Sequence, residues 1–188
     1  MTPSSDPLFS LGDILGGFSF QIPEYQRGYS WSSDQWKDLW QDLSQVVQRG
    51  SLQHFTGNLF LRRLAGESVS GSTSDDTPDK VEVVDGQQRL ITTMLLSRVL
   101  AVRAGRVPPA HRLVFKANEE LQTYFDYCVL GHAALAPRLS REPSSYALRL
   151  QQAQAFFEAA VGTLSPEQAG AWCDVLLSRF RLFVLEVS

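Results

Sequence analysis

Val81-Glu82-Val83-Val84-Asp85-Gly86-Gln87-Gln88-Arg89, running on through Leu90-Ile91-Thr92-Thr93-Met94-Leu95-Leu96 to Ala104, decides how this chain is read. It reads as a buried strand, a one-glycine turn and a long helix. Val81, Val83 and Val84 are β-branched and suit a strand. Asp85 has the right side chain for a helix N-cap. Gly86 permits a sharp turn and a close approach by another group. A strand that feeds a helix N-terminus through a glycine offers free N–H groups and a favourable dipole to an anion. Capping alone explains Asp85 and pairs it with Arg89, four residues on. It does not explain two glutamines beside them. The helix is expected to turn Ile91, Met94, Leu95 and Val102 to the core, opposite Arg89, with Thr92, Thr93 and Arg103 nearer the Arg89 side.

Upstream, Ile22-Pro23-Glu24-Tyr25-Gln26-Arg27-Gly28-Tyr29-Ser30-Trp31 mixes an amide, a guanidinium and aromatics around a glycine. The planar fork of Arg27 suits a phosphate. Tyr25, Tyr29 or Trp31 could stack on a base, although aromatics beside a helix are more often core anchors. Trp31 is taken as structural and Gln26-Arg27 as functional.

The remaining elements follow from spacing. Leu8 to Leu15 is periodic and predicts a helix stopped by Gly16-Gly17. Phe18 to Ile22 alternates as a strand. Ser32 and Gln35 stand at capping-box spacing before the stripe Trp36, Leu39, Trp40, Leu43, Val46, Val47. Phe55 to Arg62 is a strand, with Gly57 marking a bulge. His54 before it is read as a packing residue. Leu64 to Lys80, rich in Ser, Gly, Thr and Asp, is expected to be a mobile loop closing a hairpin, and Met1 to Pro7 a frayed end. Beyond Ala104 come a short strand at Arg112–Phe115, a helix capped by Asn118, a loop from His132 to Pro143, a helix over Ser145–Val161, a helix from Pro166 and a strand over Phe180–Val187. An apolar strand with no turn after it suggests a piece of a longer protein.

With 188 residues the chain is one domain or a domain with an appendage. A net charge of −3 argues against a surface that coats nucleic acid broadly. Charge is uneven, however. Gly86 to Lys116 holds no acid but six bases, Arg89, Arg98, Arg103, Arg106, Arg112 and Lys116, which form either a solvated surface or a positive field beside the anion site. Cys128 and Cys173 lack metal spacing and read as buried thiols of a reducing compartment. No signal peptide or membrane-length apolar run is visible, so a cytoplasmic protein is expected.

Taken together, Ile22-Pro-x-Tyr-Gln-Arg-x-Tyr-Ser-Trp31 and Asp85-Gly-Gln-Gln-Arg89-Leu-x-Thr-Thr93, with Phe55-x-Gly-Asn58 between them, resemble the N-terminal domain of GmrSD-type modification-dependent restriction proteins. The resemblance implies an α+β fold, a small mixed sheet of ParB/sulfiredoxin-like type with surrounding and appended helices. Residues 1–116 would form that core and 117–188 a helical extension with a final strand. The resemblance also implies binding and hydrolysis of a nucleoside triphosphate, regulating DNA cleavage in phage defence by a separate C-terminal nuclease domain, often HNH-type. Asp85, Gln87, Gln88 and Arg89 match the signature, and Gln26 and Arg27 the first motif. A further family segment with an Asn-Arg-Gly-like run would lie beyond Ser188. No HNH-like cluster and no P-loop are present, so DNA cleavage is not expected from this chain.

The residues suggest a compatible chemistry. Phosphates would rest on Gly86, with Arg27 and Arg89 neutralising charge. Asp85 would either ligate Mg²⁺ (or another divalent cation) or position the attacking water, and Gln87 or Gln88 would orient that water or read a base edge. Two rivals stay open: a module that senses nucleotide or modified DNA without turnover, and a ParB-like nuclease using Asp85 and a metal. Homo-oligomerisation is also left open.

Overall fold

A computed structural model describes residues 8–50, 52–64 and 78–187. The expected frayed end and most of the expected loop lie outside them. Six strands form one mixed sheet: β1 (Leu8–Ser10), β2 (Phe18–Ile22), β3 (His54–Arg63), β4 (Asp79–Asp85), β5 (Leu113–Phe115) and β6 (Phe180–Glu186), in the order β1-β6-β3-β4-β2-β5. The helices are α1 (Leu11–Gly17), α2 (Ser33–Arg49), α3 (Gln87–Arg103), α4 (Glu119–Cys128), α5 (Ser145–Val161) and α6 (Pro166–Arg179), with a 3-10 turn at Ala133–Arg138 inside the expected loop. The α+β class and mixed sheet are as the sequence implies. The sheet runs across residue 116, because β6 pairs in parallel with β3 from His54 to Leu61 and antiparallel with β1.

Period-two alternation buries one face of the sheet: Phe20, Ile22, Leu59, Leu61, Val81, Val83, Leu113, Phe180 and Leu182. Against the core formed on that face lies α3, buried almost all round. The expected two-sided α3 is therefore corrected. Thr92, Thr93 and Ser97 are fully buried because their hydroxyls bond back to the Gln88, Arg89 and Met94 carbonyls. Val102, placed on the core stripe, is 52% exposed where the helix runs out of the core. The expected helix at Leu8 begins instead at Leu11. Ser10 and Asp13 form a capping box there, and Leu8 to Ser10 pair with β6 as strand.

Several local expectations hold. Ser32 and Gln35 box the start of α2, and Asn118 caps α4. The β3–β6 register shifts at Gly57. His54 stacks on Phe180 with ring centroids 4.7 Å apart, and its Nε2 lies 3.4 Å from Asp42. Both thiols are buried, which pushes Cys128 up to about 12 and Cys173 to about 11.

Candidate functional site

The sheet brings the two motifs together. β2 runs parallel to β4 with Gln21 beside Glu82, so both strands end at the same edge. Ile22 leads into the Pro23–Trp31 loop there, and Asp85 leads into α3. Ligands of sheets built on parallel strands favour such carboxyl ends.

Asp85 does not cap α3. It is the last residue of β4, and Gly86 is the N-cap, at φ 96° with no side-chain cap bond. The left-handed turn needs glycine twice over. A Cβ would be strained by φ and would also come within 2.9 Å of Leu59 Cδ1 and 3.0 Å of the Asn58 carbonyl. The first bond across the α3 start is Leu90 N–H to the Gly86 carbonyl, so the helix opens with the amides of Gln87, Gln88 and Arg89 ahead of it.

In front of this turn lies a cavity of about 270 Å³ lined by Gln26, Arg27, Trp31, Asp85, Gly86, Gln87, Gln88 and Arg89. All six residues singled out with Gly86 from the two motifs are on its wall, and they play different parts. Arg89 is half-buried and makes no hydrogen bond or ion pair among the described residues. Its guanidinium lies 6.0 Å from the Trp31 ring centroid and against Gly57, where a Cβ would stand 2.8 Å from Nη1. Burial lowers its pKa, opposed by the Asp85 carboxylate. Arg27 is exposed and likewise unbonded at its side chain. Asp85 is exposed and is the one carboxylate on the wall.

The amides are mostly engaged. Gln26 Nε2 donates to the Val84 carbonyl at 2.6 Å. Gln87 Nε2 donates to the Arg27 carbonyl at 2.6 Å, leaving Gln87 Oε1 buried without a partner. Turning that amide over would set two acceptors against each other, so the unpaired atom is the oxygen. Gln88 spends both ends on the loop: Nε2 donates to the Gly28 carbonyl at 3.0 Å and Oε1 accepts from Ser30 N–H at 2.8 Å.

Tyr29 and Trp31 both pack in or against the core, as read, and Trp31 also meets the cavity. Tyr29 is the core anchor, fully buried, bonded to Thr92 Oγ1 at 2.8 Å and accepting from Trp36 Nε1 at 2.9 Å; burial pushes its pKa up to about 12. Trp31, read as structural, packs against the core and in addition lines the cavity, facing Arg89. Its place inside the first motif was the available signal. Of the six bases from Arg89 to Lys116, Arg89 alone lines the cavity among the described residues. Arg103 donates twice to the Leu164 carbonyl, and Arg106 pairs with Asp174 at 2.8 Å, both at the far end of α3. Among the described residues no group of three or more His, Cys, Asp or Glu stands together, and no helix is long and apolar enough to cross a membrane.

Fold and cavity together define an α+β domain with a charged cavity at the carboxyl ends of its parallel strands. Residues 8–168 match the family described as GmrSD restriction endonuclease, N-terminal domain, and the chain belongs to that family. It is thus a domain of a restriction-system protein, and both motifs fall within the matched span. No curated protein matches the chain.

Proposed function

We propose that the cavity binds the polyphosphate of a nucleoside triphosphate and that the domain hydrolyses it. That reaction would regulate cleavage of foreign DNA, in phage defence, by a nuclease domain elsewhere in the full-length protein. One observation carries this reading. Two guanidinium groups, Arg27 and Arg89, face one cavity at a helix start, and neither is hydrogen-bonded or ion-paired among the described residues. Burying half of Arg89 without a hydrogen bond is costly unless an anion completes it.

Asp85 would repel bare phosphate. A divalent cation such as Mg²⁺, held by Asp85 and the phosphates, would neutralise that charge when bound. The donor set fits, since such cations commonly use one or two carboxylates plus phosphate and water. A single carboxylate also favours a cation that arrives with a nucleotide over one held by protein alone, as a nuclease would need. Gln87, whose Nε2 holds the Arg27 carbonyl and whose Oε1 is closed off from solvent, supports the loop rather than touching the attacking water. Gln88 acts as support for the loop, because both its amide atoms are taken.

The test is calorimetry with each nucleoside triphosphate and Mg²⁺ at millimolar concentration, together with phosphate release. Binding by wild type is expected, with release lost in Asp85→Asn. Release unchanged in that variant would remove Asp85 from the chemistry. Absence of any binding would end the nucleotide reading.

A further inference from the structure

We propose that Arg149, in the first half of α5, is a positioning residue for the nucleotide site. It acts by holding the loop that presents Arg27. The proposal rests on the reading of the cavity given above.

The loop from Arg27 to Ser30 is held by four hydrogen bonds from side chains of two helices to its backbone, while the Arg27 side chain is unbonded among the described residues. The Arg27 carbonyl accepts from Gln87, the Gly28 carbonyl from Gln88, and Ser30 N–H donates to Gln88. Those three bonds come from α3. The fourth comes from the other side, where Arg149 Nη1 donates to the Ser30 carbonyl at 2.9 Å. Ser30 is therefore gripped at both its N–H and its C=O, by two helices. Just upstream, Tyr146, one turn before Arg149, packs on Gly28 so closely that a Cβ there would stand 2.5 Å from the ring. Glycine at 28 is what lets α5 approach.

In the midst of these clasps the Arg27 side chain is exposed and unbonded. A backbone fixed at four points around one free guanidinium is an arrangement for aiming that guanidinium. The α3 clasps belong to the motif. The α5 clasp does not, and it lies 119 residues from its target in sequence. Arg149 is partly buried, and a charged donor to a carbonyl in such a place is a strong hydrogen bond. It is not among the residues that line the cavity, so its effect passes through the loop.

The experiment uses the full-length protein with Arg149→Ala and Arg149→Lys. Amide hydrogen exchange is read without nucleotide, and steady-state hydrolysis with the best-bound nucleoside triphosphate and Mg²⁺. In R149A, exchange of the Ser30 amide, which donates to Gln88, should accelerate about tenfold while the amides of α3 stay protected, as loss of one charged hydrogen bond implies. The half-saturating nucleotide concentration should rise about tenfold, with turnover at saturation within about twofold of wild type. R149K, which keeps one donor for the single bond used, should restore both. If R149A melts early, Arg149→Met keeps the aliphatic stem and isolates the bond. Unchanged exchange in R149A overturns the clamp. Faster exchange with unchanged half-saturation, or no rescue by lysine, overturns the positioning role. If wild type binds no nucleotide, the ligand half falls with the reading it rests on, and the exchange result alone decides whether α5 holds the loop.

Discussion

Arg89 in the first turn of α3 and Arg103 in its last are the same residue type on one helix, roughly 21 Å apart at 1.5 Å per residue. Arg103 is exposed, yet two of its donors go to the Leu164 carbonyl at 2.9 and 2.7 Å. Arg89 is half-buried and bonds to nothing among the described residues. Burial and bonding are thus inverted between the two ends. The protein completes the arginine that water could have served, and leaves unbonded the one that water reaches less. The first pattern ties helices together. The second marks a group kept for a ligand. A buried orphan atom does not by itself mark a ligand site: Arg98, between them, has a buried unpartnered Nε among the described residues, but it lines neither the cavity at Arg89 nor the neighbouring one beside Tyr25 and Lys116.

The sharpest test of the inversion is Arg89→Ala. Nucleotide affinity should fall at least about a hundredfold, the loss expected when charge-assisted bonds to phosphate disappear. The melting temperature should hold or rise, since a half-buried cation without a protein partner is removed. Calorimetry and thermal melting on the same variant read both arms. A large drop in melting temperature would mean that Arg89 is structural after all.

The middle of α3 supplies a contrast that titrates. His111 is buried and hydrogen-bonded to Ser97 at 3.0 Å, and burial holds its pKa near 4 against an ordinary 6.5. Between those values the unfolded chain takes the proton and the folded chain does not. The contribution is therefore fully present above pH 6.5 and is lost as pH falls towards 4, by up to about 3 kcal/mol. His111→Gln cannot titrate there, so its stability curve should be flatter than wild type across that window. Equal slopes in denaturant titrations at a series of pH values would show His111 charged in the folded state.

Smaller again is Gly86→Ala. The φ of 96° and the crowding by Leu59 should cost about 2 kcal/mol, with nucleotide binding weakened as the turn shifts. Unfolding midpoints check the first part, and titration at a temperature where the variant is folded checks the second.

Much of this contrast was legible in local pattern, and some was not. Strand alternation, the Ser32 box and the Asn118 cap are short-range physics, and they place their elements correctly. The meeting of Gln26-Arg27 with Asp85–Arg89 was implied by family likeness, but its cause is the parallel β2–β4 pairing, which no local spacing dictates. Asp85 was misassigned as a cap because composition cannot show that β4 runs one residue further and that Gly86 takes the left-handed turn. Helical spacing sets Thr92 and Thr93 on the Arg89 side but does not show that this side is buried as well. In the helix they satisfy themselves on the preceding turn and can be buried. Arg149 carried no signal, since its partner Ser30 is brought to it only by the packing of α5.

Arg103→Ala is expected to do least, and it discriminates between the two accounts of the basic run from Arg89 to Lys116. If those residues formed a positive field at the site, removing any of them would weaken nucleotide binding and flatten its salt dependence. The structure instead puts Arg103 at the far end of α3, beyond about two screening lengths of roughly 8–10 Å at ordinary ionic strength. Its loss should therefore leave affinity unchanged while lowering stability by about 1 kcal/mol, the worth of an exposed tie between α3 and the Leu164 segment ahead of α6. A fall in affinity approaching that of Arg89→Ala, with stability intact, would reverse the roles assigned to the two ends of the helix.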